Sequence, residues 1–184
     1  MFKKFKSSKS LPATDNQTLN GLRRAIPNYI GYDGLKERKS SDNAYRSFLY
    51  DKVIKLVDGY SAVQTHLMRN QLLSTWSISN EILNMLTQMR NILSTDVYRH
   101  STFFDTANVS DILDLSVIYV LESETIVTSS EVVDKVQIIN DKLSNLELQN
   151  IEQDILATKS DIKEIYTIIS DRAELIASFE LVGF

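Results

Sequence analysis

The chain has 184 residues, 43% hydrophobic and 24% charged, a composition that fits one soluble globular domain and excludes disorder throughout. It contains no cysteine, which removes disulfides and thiolate metal ligands and favours the cytoplasm, and no stretch approaches the roughly 18 to 20 apolar residues of a membrane span. The net charge of −4 conceals an asymmetry: residues 1–100 hold 15 Lys or Arg against 8 Asp or Glu, whereas residues 101–184 hold 5 against 16.

Halves of opposite sign are expected to complement one another within the fold. Turn residues are scarce, with no proline and only Gly59 between Leu35 and Val182. A β-rich fold of this size needs many turns, so the scarcity predicts long helices.

Residues 1–13 place Phe2 and Phe5 among Lys3, Lys4, Lys6 and Lys9. This reads either as a flexible basic tail or as a membrane contact through Phe2, Lys3, Lys4, Phe5 and Lys6. Each cation contributes about 1 kcal/mol near an anionic lipid surface. A single domain then covers residues 14–184. Thr14 and Gln17 have capping-box spacing ahead of Leu19, Leu22 and Ile26, predicting a helix over 15–25 that Pro27 ends. Residues 27–34, PNYIGYDG, form the chain's one conformationally special loop.

A long helix is predicted from about Gly34 to Met68, with Tyr45, Leu49, Val53, Leu56, Tyr60, Val63 and Leu67 on one face. Its first turns, residues 36–43, are polar all round. Such turns extend beyond their partners or face a charged one. A third helix over 75–94 shows Ile82, Leu86, Met89 and Leu93, and the aromatic loop after it holds Tyr98, Phe103 and Phe104. Asn108 is placed to cap a fourth helix with Ile112, Leu115, Tyr119, Ile126, Val133, Val136 and Leu143 at heptad-compatible spacing. Residues 117–133 are rich in Val, Ile and Thr, so the helical reading leaves room for an interruption between Glu122 and Ser130.

The last stretch carries the clearest pattern. Leu148, Ile151, Ile155, Ile162, Ile165, Ile169 and Ile176 follow an alternating three-and-four spacing that Thr158 and Arg172 complete. That is a heptad seam, and Ser144 with Glu147 reads as its capping box. An arginine on a seam either pairs with a facing carboxylate or snorkels at a bundle end. On that structural reading, Arg172→Leu should preserve or raise the melting temperature.

The run AIPNYIGYDGLKERK at residues 25–39 resembles the PGYxGYxxKExRR opening of an uncharacterised family of bacterial helical proteins. The turn ending Phe103, Phe104 and Asp105 is similar to that family's second landmark, a GYxGFFD-like loop, although Arg99 and Ser101 stand where glycines are expected. The resemblance implies an all-helical fold and no assigned activity.

The kit of a hydrolytic or redox enzyme is missing. His66 and His100 lie in no HExxH or Glu-x-x-His arrangement, there is no G-x-S-x-G elbow, and Gly31 with Gly34 makes no phosphate loop. Asp111 with Asp114, and Glu122 with Glu124, read as solvated carboxylates on helix faces, because a general acid needs burial to raise its pKa. We therefore expect an all-α elongated antiparallel bundle with coiled-coil-like heptad packing, without metal or cofactor. The expected role is a non-enzymatic scaffold or adaptor for a protein partner, with self-association through its seams open. Tyr29, Tyr32, Lys36, Arg38 and Lys39 are the candidate partner-binding residues, though the tyrosines could equally pack on the bundle. The alternative is a nucleic-acid-associated protein using the basic N-terminal half, a reading the acidic second half disfavours.

Overall fold

The computed structural model describes residues 15–94, 101–106 and 114–179. These form five helices: α1 (Asp15–Ala25), α2 (Leu35–Arg69), α3 (Leu73–Ser94), α4 (Leu115–Ser144) and α5 (Ile151–Ala177). The last four make an all-α bundle, and α1 packs along α4.

Polar contacts fix the directions. Residues 52, 59 and 66 of α2 meet 130, 140 and 144 of α4 in ascending order, so these neighbours run parallel. Lys135 reaches Asp161 and Lys142 reaches Asp154, each at 2.7 Å, so α5 runs back along α4. Helix α3 likewise returns along α2, with Arg46 donating to the Leu93 carbonyl near its end. Two antiparallel hairpins thus lie side by side. The predicted seams fill the space between them: Leu49, Val53, Leu56, Tyr60, Val63 and Leu67 of α2 are buried against Ile82, Leu86 and Met89 of α3 and the isoleucines of α5. One apolar stripe per long helix, covered by its neighbours, is what makes such helices stable.

Helix ends depart from the expectations at three places. Ser144 and Glu147 do not open α5. The Ser144 hydroxyl donates to the Asn140 carbonyl inside α4, and the Glu147 amide donates to the Lys142 carbonyl, closing α4 with Leu146 at φ 60°. Residues 145–150 are then a turn, and Leu148 is exposed. Helix α4 is capped by Asp114, whose carboxylate accepts from the Ser116 amide at 3.0 Å, while Asn108 lies outside the described residues. No interruption divides α4. Thr125, Ser129 and Ser130 return their hydroxyls to carbonyls three or four residues back, so these residues satisfy themselves within a helix that neighbouring helices hold in place.

Among the described residues, the exposed Lys39–Asp105 bridge joins a cation of residues 1–100 to an anion beyond, whereas Lys159–Glu81 and Arg172–Asp42 join the halves with the signs reversed.

A candidate functional site: the buried polar hub

One end of the bundle carries charge in its interior. Continuing the α2 seam backwards from Tyr45 by three and four residues gives Asp42 and Arg38, and both are buried. On α4 the series Leu115, Tyr119, Glu122, Ile126 likewise puts a carboxylate in line with the core. On α5 the seam delivers Arg172. Arg172 is 2% exposed, Glu122 0% and Asp42 2%, so three charges from three helices share one dry layer.

Their geometry is mutually satisfying. Arg172 Nε donates to Glu122 Oε1 at 2.7 Å, and its Nη2 donates to Asp42 Oδ1 at 2.7 Å and to the Tyr32 hydroxyl at 2.8 Å. Its guanidinium also sits 4.3 Å from the centre of the Tyr45 ring. The second Asp42 oxygen accepts from Arg46 Nε at 2.9 Å. The Tyr32 hydroxyl donates to Glu122 Oε1 at 2.6 Å, and the Tyr29 hydroxyl donates to Glu122 Oε2. Every contact on Glu122 is thus a donor, the pattern that suits an ionised carboxylate.

Burial pushes the Glu122 carboxyl above its ordinary value, while the Arg172 charge and the two tyrosine hydroxyls pull it back. Burial, with the Glu122 charge adding to it, raises Tyr29 far above the usual phenol value. Tyr32 is raised by burial too, against the opposing pull of Arg172. Tyr119 is pushed up to about 12, mainly by burial.

The loop of residues 27–34 is strapped across this layer. The Ile30 and Gly31 amides donate to Ser41 Oγ at 3.2 and 2.9 Å, and the Tyr32 amide donates to the Tyr119 hydroxyl at 2.8 Å. Gly31 is needed here: its φ is 120°, and a Cβ would meet a Leu19 methyl at 3.0 Å and the Tyr119 hydroxyl at 3.1 Å. Arg38 fastens the strap to the second aromatic loop. It donates from Nε to the Tyr32 carbonyl at 2.7 Å, and from Nη1 to the carbonyls of Phe103 and Thr106 at 3.0 and 2.5 Å. Phe103 packs edge-on against Tyr32, Phe104 and Phe179, closing the bundle end.

The candidate partner-binding residues therefore separate. Tyr29, Tyr32 and Arg38 are internal and present nothing to a partner, because their polar atoms are engaged within the hub. Lys36 and Lys39 face outward, and Lys39 pairs with Asp105 at 3.2 Å. Phe2, Lys3, Lys4, Phe5 and Lys6 lie outside the described residues. Glu122 is corrected from a solvated carboxylate to the most heavily bonded acid in the core, whereas Glu124 is exposed as expected. Asp111 lies outside the described residues. Among the described residues no three His, Asp or Glu side chains form a group that could hold a metal ion. Among the described residues no helix is long and apolar enough to cross a membrane. Searches against protein-family profiles, curated proteins and solved structures find no match to the chain.

Proposed function

We propose that the protein is a non-enzymatic cytoplasmic scaffold, a rigid helical bundle that binds another protein and meets a membrane surface through residues 2–6. The observation that carries this reading is the closure of the hub. Its arginine and carboxylates are saturated by one another under a strap of backbone, an arrangement suited to holding helices in register and ill suited to turning over a substrate. What remains for recognition is the outer surface. At the end of the bundle opposite the hub, Met68 and Leu73 flank one helical turn, and Leu146 and Leu148 occupy the other, all exposed.

The nucleic-acid reading loses support from the fate of its cations. Arg38 is internal, Arg46 bonds Asp42 and Asn43, Lys39 pairs with Asp105 and Arg23 donates to the Ile30 carbonyl, which leaves Arg24 and Lys36 as the outward cations of that set without an ion pair among the described residues. Phosphate recognition draws on several free cations along one face.

Affinity capture from native-cell lysate, with tagged full-length chain beside a form lacking residues 1–10, tests the proposal. One protein retained by both forms supports a scaffold, and loss with the shorter form places recognition in the N-terminal segment. Retention of nothing by either form would sink the scaffold reading.

A further inference from the structure

The outward face of α4 is unlike a simple solvated helix surface. Val127 and Ile138, 56% and 54% exposed, are eleven residues apart, three turns along the same stripe. Glu124, Glu131 and Asp134 lie on that stripe and are also exposed. Among the described residues none of these three is in an ion pair; the nearby Lys135 bonds Asp161 at 2.7 Å, although its charge also acts on Glu131. The stripe thus mixes two apolar and three anionic groups over about 21 Å, at 1.5 Å of rise per residue.

The chain itself supplies the complement. Residues 2–9, FKKFKSSK, alternate two phenylalanines with four lysines. This segment leads into α1, which packs on α4, and Leu19 lies beside the Tyr119 hydroxyl where both crowd Gly31. Glu124 is only five residues further along α4 than Tyr119. Fourteen residues precede α1, and an extended chain covers roughly 3.3 to 3.6 Å per residue, so residues 2–9 can reach the whole stripe.

We propose that residues 2–9 dock along the outward face of α4, with Phe5 on Val127, Phe2 further along the stripe towards Ile138, and the lysines on Glu124, Glu131 and Asp134. The proposal deepens the reading of this segment as a membrane contact, and rests on it for the consequence drawn next. The same cations and rings that would meet anionic lipid have a resting place on the protein. Lipid and α4 then compete for one segment, and α4 is uncovered when the segment leaves for the membrane.

Carbodiimide coupling on the full-length chain, without lipid, tests the docking directly, because it joins lysine amines to carboxylates in contact. Mass spectrometry should find Lys3, Lys4, Lys6 and Lys9 joined predominantly to Glu124, Glu131 and Asp134 in dilute protein at low salt. Those products should fall at least fivefold at high salt, where exposed charges are screened. In the full-length double variant Glu131→Lys and Asp134→Lys, with helicity checked by circular dichroism, coupling of those lysines to the remaining Glu124 should fall as well. Products spread evenly over the exposed acidic residues, or coupling to α4 indifferent to salt, would overturn the proposal. Mixing isotopically light and heavy protein separates the remaining case: light–heavy pairs would replace docking within a chain by exchange between copies. Vesicles containing phosphatidylserine then test the membrane reading alone. Coupling to α4 that persists undiminished beside such vesicles refutes the lipid contact and leaves the docking standing.

Discussion

Replacing Arg172 by leucine removes a residue that bonds both buried carboxylates of the hub. Three charge-assisted contacts go: those to Glu122, Asp42 and the Tyr32 hydroxyl. Glu122 keeps its two tyrosine donors and Asp42 keeps the half-buried Arg46, but Glu122 then has no cation bonded to it, since the buried Arg38 is spent on backbone carbonyls. Breaking a buried ion pair from one side costs about 3 to 5 kcal/mol, because the abandoned charge stays desolvated. That reverses the sign expected from the seam pattern alone, where leucine at a heptad position seemed neutral or better. At about 2 to 4 °C per kcal/mol for a chain of this size, Tm should fall by about 6 to 20 °C. Urea unfolding followed by circular dichroism gives the free energy directly. Arg172→Leu within about 1 kcal/mol of the native chain would refute the hub as a stabilised charge layer.

Three further outcomes follow from named contacts. Tyr29, Tyr32, Tyr60 and Tyr119 all have folded pKa values raised above the ordinary 10.0. The unfolded chain therefore releases these protons first. Their contribution is complete below pH 10 and is lost as pH rises from there, by up to about 1.4 kcal/mol per group and pH unit. Tyrosinate absorbance should show these four titrating together with unfolding, and a smooth titration of all tyrosines near pH 10 would contradict their burial. Gly59→Ala should destabilise by about 1 to 3 kcal/mol, although alanine normally strengthens a helix, because the new Cβ would lie 2.7 Å from a Val136 methyl. Stability equal to or above native in urea would show that α2 and α4 can separate freely there. Leu146→Gly should raise stability by about 1 kcal/mol, since Leu146 is exposed and holds φ 60° at the end of α4. Unchanged urea midpoints would mean that the turn relaxes without cost.

The helices were readable because their period is a local property. The α2 face from Tyr45 to Leu67 and the α5 series through Thr158 and Arg172 are buried as the spacing requires. What could not be read locally was which polar residues belong to the inside. Glu122 beside Glu124 looks like a charged surface, yet it fills the seam position between Tyr119 and Ile126, and that spacing was a usable signal. Asp42 and Arg38 extend the α2 seam in the same way. Each is buried only because partners from other helices arrive at the same level, and such coincidence in space leaves no mark in any one segment. The helix ends were misread for a related reason. A serine three residues before a glutamate suits a helix start, and nothing nearby shows that α4 is still running at Ser144.

Seam positions filled by Arg38, Asp42, Glu122 and Arg172 suggest what the hub contributes beyond stability. The seven isoleucines buried along α5 at 151, 155, 162, 165, 168, 169 and 176 are alike in shape, so they tolerate sliding by one turn along the groove. A slip of that size would set Arg172 against apolar neighbours and leave Glu122 and Asp42 facing isoleucine, at the cost of several desolvated charges. The hub therefore selects one register among near-equivalents. The neutral triple variant Arg172→Met, Glu122→Gln and Asp42→Asn separates the two roles. Its stability should recover most of what Arg172→Leu loses, because no buried charge is left unpaired. Its α5 amide resonances should nonetheless broaden or double as registers interconvert. A single sharp set in that variant would show that side-chain shape alone fixes the register, and that the charges are dispensable for it.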